Sequence, residues 1–205
     1  MARHIAIAGN IGAGKTTLTH LLAKHYGWEM QLEDMDDNPY ISDFYEDMQR
    51  WSFNLQVFFL NTRWKHVQDI RNGEKTVIQD RTIYEDAFIF APNLHSMGLM
   101  STRDFENYSR LFENISSQIQ QPDLLIYLRA SIPKLVDQIQ MRGRDYEDAI
   151  RLDYLKRLNE RYEAWIGDYK GQLLIFNVDD MDFQENPEDL SKIITQVEST
   201  LNGLF

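Results

Sequence analysis

Cysteine is absent from this 205-residue chain, which excludes a disulfide framework and any metal site built from thiolates. Long apolar runs are also absent, and none approaches the ~20 residues that span a bilayer. Positive charge is scarce, because 21 basic residues stand against 32 acidic ones and the net charge is −11. Such a surface repels nucleic acid polymers and acidic membranes, so we expect neither as a partner. Since an apolar strand candidate begins at His4, we expect no signal peptide and a cytoplasmic location.

A glycine-rich segment near the start carries the clearest functional signal. Residues 5–17 read IAIAGNIGAGKTT, an apolar run followed by G-x-x-x-x-G-K-[ST] and then by a helix-like stretch. Glycines let successive backbone N–H groups turn inward around an anion, and the following helix directs its positive end there. Lys15 adds a charge for the outer phosphates and Thr16 a hydroxyl for Mg²⁺. The expected phosphate-binding residues are Gly9, Asn10, Ile11, Gly12, Ala13, Gly14, Lys15, Thr16 and Thr17.

Short apolar segments alternate with longer segments of helical periodicity along the whole chain. The strand candidates are 4–8, 29–33, 75–79, 124–129 and 173–178. The helix candidates are 15–26, a part of 39–72, 84–91, 102–120, 131–141, 153–169 and 187–202. This alternation predicts an α/β fold in which helices flank a five-stranded parallel sheet, within one domain over 1–205.

An aromatic-rich helix candidate runs from Trp51 to Val67. Its rings are typical of a core helix or of a helix between subunits. Gln56 and Arg63 interrupt the apolar set seven residues apart, so they lie on one helix face two turns apart. Such a pair is either solvated or able to read the edge of a flat heterocycle.

Charged side chains follow two of the predicted strands, where the carboxyl ends of a parallel sheet line a ligand crevice. Glu33 opens an acidic run that is otherwise typical of a solvated loop, and it could accept a proton from an attacking hydroxyl. Asp80 is placed either to position Mg²⁺ or to form an ordinary salt bridge. Arg81, the next residue, can neutralise charge on a transferring group.

Two further charged features lie later in the chain. Asp86 stands among apolar residues and needs a partner, either Arg63 or an amino group of the substrate. Arg142 and Arg144 surround Gly143 and predict a short cationic lid at about 142–150 that closes on phosphates.

Together these segments resemble the deoxynucleoside kinase family, and within it the bacterial deoxyadenosine/deoxyguanosine kinase branch. The resemblance covers nearly the whole chain. It is carried by GNIGAGKTT at 9–17, Glu33, WSFNLQ at 51–56 with Arg63, DRTIYEDAFIFA at 80–91, RGR at 142–144 and LDYLKRL at 152–158.

The resemblance implies a P-loop kinase fold, ATP as phosphoryl donor, Mg²⁺, and a homodimer formed through helices such as 51–70 and 102–120. It also implies a small deoxynucleoside as the acceptor. The catalytic residues would be Glu33 as general base, Arg81 at the 5′-oxygen, and Lys15 at the phosphates, with Thr16 and Asp80 at the metal.

The same resemblance implies how the nucleoside is held. Tyr45 and Glu147 would bind the 3′-hydroxyl of the sugar, while Phe90 would stack on the base. The polar edge of the base would meet Gln56, Arg63 and Asp86, and the lid arginines Arg142 and Arg144 would bind the donor phosphates.

The preferred acceptor stays open among three deoxynucleosides. A carboxylate at Asp86 suits an exocyclic amino group and disfavours the carbonyl of thymine, so we expect deoxyadenosine first, with deoxyguanosine or deoxycytidine as alternatives. A thymidylate-type nucleoside monophosphate kinase is a rival, but it would need basic residues where Glu33 begins an acidic run. A non-catalytic nucleotide-binding module is a second rival, which the set of acceptor and lid residues disfavours.

Overall fold

A computed structural model describes residues 2–33, 38–144 and 150–203 of the chain. Within these residues, five parallel strands form one sheet in the order β2-β3-β1-β4-β5. The strands are β1 (His4–Gly9), β2 (Glu29–Gln31), β3 (Val77–Asp80), β4 (Leu124–Arg129) and β5 (Leu173–Asn177). The predicted α/β fold with a parallel sheet is confirmed.

Helices connect successive strands and cover the sheet. They are α1 (Lys15–Tyr26), α2 (Ile41–Glu46), α3 (Met48–Asn72), α4 (Ile83–Glu85), α5 (Ala91–Ser96), α6 (Thr102–Ser116), α7 (Ile132–Arg142), α8 (Leu152–Asp168) and α9 (Pro187–Leu201). A π-helix (Asp86–Phe90) lies between α4 and α5. In the described part of the chain, no helix is both long and apolar enough to cross a membrane.

The alternation of side chains along β1 divides the core into two layers. Ile5 and Ile7 pack on one face of the sheet with residues of α1, α7 and α9. Ala6 and Ala8 face the other side, where α3, α6, α8 and the π-helix pack. Since successive strand residues point to opposite faces, small alanines leave room on the second side for the bulky helical layer.

The predicted boundaries were wrong in two places that matter for the site. The segment 29–33 forms a strand only as far as Gln31, so Glu33 lies beyond the strand end. The single helix predicted over 84–91 is instead divided among three helices. The short helix α4 ends at Glu85, the π-helix, which has a wider turn, covers Asp86–Phe90, and α5 begins at Ala91. Local periodicity cannot distinguish these helix types, because the difference is less than one residue per turn.

The buried side of α1 should contribute strongly to stability. Leu22 is fully buried in the layer next to Ile5 and Ile7, so Leu22→Ala should lower the free energy of unfolding by about 2–5 kcal/mol. Denaturant unfolding measures this change. Leu152→Ala is the matched control, because Leu152 is 56% exposed and should change stability by no more than about 0.5 kcal/mol. Equal effects of the two substitutions would contradict the packing described for α1.

Candidate active site

The glycine-rich segment forms a tight loop between the end of β1 and the start of α1. Gly12 and Gly14 have φ values of +85° and +90°, a region that favours glycine. A Cβ at Gly12 would lie 2.8 Å from the carbonyl oxygen of Leu135, and one at Gly14 would lie 3.0 Å from the ring of Phe183. The loop therefore needs glycine at both positions for conformation and for space.

Side chains within the loop have distinct tasks. Lys15 is buried and donates from Nζ to the carbonyl oxygen of Asn10 at 3.0 Å. Burial and the charge of Arg81 lower the pKa of Lys15 to about 8, because both disfavour its ammonium form. The Asn10 side chain donates to the carbonyl oxygen of Leu155 and to Oδ1 of Asn159, both at 3.1 Å. Asn10 thus ties the loop to α8.

Thr16 and Asp80 meet at the carboxyl edge of the sheet. The Thr16 hydroxyl donates to Oδ2 of Asp80 at 2.5 Å. The other carboxylate oxygen, Oδ1, is buried and has no hydrogen-bond partner among residues 2–33, 38–144 and 150–203. A hydroxyl beside a carboxylate with an unused oxygen fits Mg²⁺, which prefers oxygen ligands.

A cavity of about 580 Å³ opens beside the loop. It brings together residues from the loop, the strand ends, α3 and the lid region. Its lining includes Ile11, Gly12, Lys15, Thr16, Glu33, Tyr45, Gln56, Arg81, Asp86, Phe90, Arg142 and Arg144. Most of the candidate site residues predicted from the sequence therefore share one cavity.

Arg63 joins two carboxylates, those of Glu33 and Asp86, that line this cavity. Its Nη2 donates to Oε1 of Glu33 at 2.5 Å, and its Nη1 lies 2.9 Å from Oδ2 of Asp86. The Arg63 side chain is only 3% exposed, so these are interactions in a low-dielectric environment. Arg63, one of the two partners considered for Asp86, therefore lies in contact with it.

Arg81 approaches the same glutamate from the opposite side. Its Nε lies 3.5 Å from Oε2 of Glu33, and its guanidinium lies 4.5 Å from the centre of the Phe90 ring. Its backbone has a φ of +67°, which is uncommon for a residue with a side chain. The backbone N–H donates to the carbonyl oxygen of Ile7 at 2.9 Å, so Arg81 extends the pairing of β3 with β1 by one residue.

These neighbours shift the acidities of the two carboxyl groups in opposite directions. Burial favours the neutral form of Glu33, but Arg81, Arg63 and Lys15 outweigh it and hold the pKa of Glu33 at about 2. Burial raises the pKa of Asp86 to about 7, although Arg63 opposes that shift. Glu33 is thus ionised at neutral pH, whereas Asp86 populates both its ionised and its neutral form there.

The far end of the cavity combines aromatic rings with an unsatisfied amide. Gln56 is 2% exposed, and its Oε1 lacks a hydrogen-bond partner in the described part of the chain. Phe44, Phe59 and Phe90 line the surrounding wall. A flat, partly polar molecule suits this end, because buried amide oxygens are costly without a donor.

The lid region is described only in part. Tyr45, Arg142 and Arg144 line the cavity, with Arg142 exposed and Arg144 half-buried. Glu147 lies outside the described residues, as does most of the predicted lid over 142–150.

Two buried residues at this site were not among the sequence-based candidates. Glu85 accepts hydrogen bonds from the Thr82 backbone and from the Tyr162 hydroxyl. The pattern Thr82-x-x-Glu85 is a capping-box signature, so the sequence could have indicated that Glu85 turns back toward Thr82. Tyr162 carries no such local signal, because it reaches the site from α8 through tertiary packing.

Comparison with known proteins gives a consistent result. A sequence model described as deoxynucleoside kinase matches residues 5–202. The deoxyadenosine/deoxycytidine kinase of Bacillus subtilis is 37% identical over 97% of this chain and 93% of its own length. The deoxyguanosine kinase of the same organism is 35% identical, covering 98% of each chain. A deoxyadenosine kinase from Dictyostelium discoideum is 39% identical over 93% of this chain and 77% of its own length.

Solved structures agree with the sequence comparison. Deoxyadenosine kinase from M. mycoides, with the products dCMP and a flexible dCDP bound, superimposes with a TM-score of 0.87 and 28% identity. The match covers 96% of this chain and 99% of that one. The same kinase with bound dATP has a TM-score of 0.85 at 28% identity, covering 96% of this chain and 100% of that one.

Removing Arg63 should destabilise the protein in a pH-dependent manner. Arg63→Met leaves Glu33 and Asp86 buried without this counter-ion, which should cost about 3–5 kcal/mol of unfolding free energy at pH 7. The lowered pKa of Glu33 contributes stability above its ordinary value of 4.5, and this contribution is lost as the pH falls toward 2. The difference in unfolding free energy between Arg63→Met and wild type should therefore become smaller as the pH falls through that range.

Denaturant unfolding at several pH values measures this effect. Arg50→Met is the matched control, because Arg50 lies exposed on the same helix and contacts the Trp51 ring at 4.6 Å. It should change stability by at most about 1 kcal/mol. A loss for Arg63→Met as small as the control's would show that Arg63 does not neutralise the buried carboxylates.

Proposed function

Because the chain belongs to the deoxynucleoside kinase family, we propose that it transfers the γ-phosphoryl group of ATP to the 5′-hydroxyl of a deoxynucleoside, preferably deoxyadenosine. The main support for this proposal is a single cavity in which the glycine-rich loop of residues 9–17, called the phosphate loop below, adjoins an ionised glutamate. Lys15 and Glu33 line this cavity together with Arg81. A neutral hydroxyl bound beside Glu33 would face a phosphate held by the loop, as in-line transfer requires.

Each reacting group then has a defined task. The 5′-oxygen forms a bond to the γ-phosphorus as the bond to the ADP oxygen breaks, and the hydroxyl proton passes to the Glu33 carboxylate. Arg81 and Lys15 stabilise negative charge on the transferring group and the leaving phosphate. Thr16 and Asp80 would hold Mg²⁺, which when bound supplies positive charge to the donor phosphates.

The low pKa of Glu33 limits how it acts as a base. A carboxylate whose pKa is about 2 is a weak base, so it does not deprotonate a free hydroxyl. In a loose phosphoryl-transfer transition state, little proton transfer is needed before the phosphorus–oxygen bond forms. Glu33 therefore orients the hydroxyl and receives its proton late, and the two arginines keep the carboxylate ionised for that purpose.

Selection of the base rests on Gln56, Arg63 and Asp86. An ionised Asp86 would accept one N–H of an exocyclic amino group, and Oε1 of Gln56, which has no partner among the described residues, would accept the other N–H of that group. Adenine and cytosine offer such an amino group where thymine has a carbonyl. Support also comes from relatives named for deoxyadenosine and deoxycytidine, whereas those named for deoxyguanosine keep that nucleoside as an alternative.

The remaining contacts complete the proposed complex. Phe90 stacks on the base, Tyr45 and Glu147 bind the 3′-hydroxyl, and Arg142 and Arg144 close on the donor phosphates. We also expect a cytoplasmic location and a homodimer that uses α3 and α6. Exposed apolar side chains support the dimer, because Leu111 of α6 is exposed and so is Phe88, whose ring packs on Phe112 of α6.

Replacing Glu33 should separate catalysis from binding. Glu33→Gln keeps the size and one acceptor oxygen but removes the charge, so kcat should fall by about 10²–10⁴ while the nucleoside KM changes far less. Steady-state kinetics with ATP and deoxyadenosine measures both constants. Glu46→Gln is the matched control, since Glu46 is exposed, and it should behave as wild type. Unchanged turnover in Glu33→Gln would reject Glu33 as the base.

A panel of acceptors tests the activity and the base preference together. ATP consumption is measured with each natural deoxynucleoside, with dTMP, and without an acceptor. We expect turnover only with deoxynucleosides, highest with deoxyadenosine and lowest with thymidine. Preference for thymidine would reject the roles of Gln56 and Asp86, and activity on dTMP alone would establish a nucleoside monophosphate kinase. ATP binding without turnover would indicate a non-catalytic module.

A further inference from the structure

A buried carboxylate lies behind the candidate active site and is not used in the reaction proposed above. Glu85 is fully buried. Its Oε2 accepts from the Thr82 backbone N–H at 2.7 Å, and its Oε1 accepts from the Tyr162 hydroxyl at 2.8 Å. Oε1 also accepts a longer bond of 3.4 Å from the N–H of Gly9, the first residue of the phosphate loop. Three separate segments of the chain therefore meet at Glu85.

The Tyr162 hydroxyl connects this carboxylate to Arg81. While the hydroxyl donates to Glu85, it accepts from Nη1 of Arg81 at 3.2 Å. The Tyr162 ring is fully buried, with its centre 5.8 Å from the Tyr127 ring and 6.5 Å from the Phe90 ring. A ring held in this way has little freedom to rotate, so its hydroxyl is a stable reference point for the guanidinium.

Arg81 needs such support for two reasons. A left-handed backbone at a residue with a side chain costs about 1–3 kcal/mol and persists only where its surroundings enforce it. Its ion pair with Glu33 is long, at 3.5 Å, and Nε lacks a hydrogen-bond partner among the residues described. Among the residues described, the bond to the Tyr162 hydroxyl is thus the side-chain hydrogen bond that orients the Arg81 guanidinium.

We propose that Glu85 and Tyr162 are positioning residues that hold Arg81 in the orientation required for phosphoryl transfer and align it with the phosphate loop. This inference rests on the proposed function. Glu85 acts at both ends of Arg81: it anchors the backbone through Thr82 and the guanidinium through Tyr162. The hydrogen bond from Gly9 connects Glu85 to the phosphate loop. Glu85 therefore restrains the position of the Arg81 guanidinium relative to the loop that would hold the donor phosphates.

A purely structural role for Glu85 makes a different prediction. The capping box at the start of α4 uses Thr82 and Glu85 and does not involve the Tyr162 hydroxyl. If capping were the whole role, removal of that hydroxyl would leave catalysis unchanged. Tyr162→Phe therefore separates the two roles, because it removes one oxygen and preserves the ring contacts.

Steady-state kinetics of Tyr162→Phe tests the inference. We expect kcat to fall about tenfold or more, as for loss of a hydrogen bond to a charged group, with both KM values within about twofold of wild type. The matched control is Tyr127→Phe on β4, which removes a buried hydroxyl that donates to Oε1 of Glu163 in α8 at 3.0 Å. It should keep wild-type kcat. Equal kcat in the two variants would overturn the proposal.

A double-mutant cycle identifies the route of the effect. In an Arg81→Lys background the Nη1 donor is gone, so Tyr162→Phe should cause little further loss of kcat. Independent, multiplicative losses would contradict an effect through Arg81. If Tyr162→Phe does not fold, Glu85→Gln takes its place in the same cycle with the same criteria. A wild-type enzyme inactive on every nucleoside would reject the proposed function itself, whereas an active one with a normal Tyr162→Phe rejects only this inference.

Discussion

Burial of several charges in one small volume is the constraint on which the site depends. Glu33 lies between Arg63 and Arg81, and Arg63 is shared with Asp86. Separately, each of these ions would carry a large desolvation cost, so each can be buried only with the others in place. Burying these charges does little for the stability of the fold on its own, because of the desolvation cost. It does keep the Glu33 carboxylate ionised, with a charge that does not change with pH near neutrality.

The parallel sheet makes this arrangement possible by gathering distant residues at one edge. The phosphate loop follows β1, Asp80 ends β3, and Glu33 follows β2, so they converge although they are far apart in sequence. Helix α3, which packs on the face of the sheet that carries Ala6 and Ala8, supplies Gln56 and Arg63. The sheet positions the loop that we propose binds phosphate, while the helical layer lines much of the rest of the cavity.

Local sequence signals predicted the individual strands and the glycine-rich loop, because both carry recognisable patterns in neighbouring residues. The glycines of the loop and the polar residues at the strand ends are recognisable without tertiary structure. The glutamate contact of Arg63, the π-helix at Asp86 and the hydroxyl of Tyr162 were not foreseen. The contacts of Arg63 and Tyr162 depend on packing between segments far apart in sequence, and the π-helix differs from an α-helix by less than one residue per turn.

A neutral hydroxyl bound between Glu33 and the phosphate loop is what the proposed reaction requires above all. A crystal structure with deoxyadenosine and a non-hydrolysable ATP analogue would show whether it binds there. We expect the 5′-oxygen within about 3.2 Å of a Glu33 carboxylate oxygen and the base against Gln56 and Phe90. A nucleoside bound with its 5′-oxygen away from Glu33, or with its base at the phosphate loop, would rule out Glu33 as the residue that receives the proton.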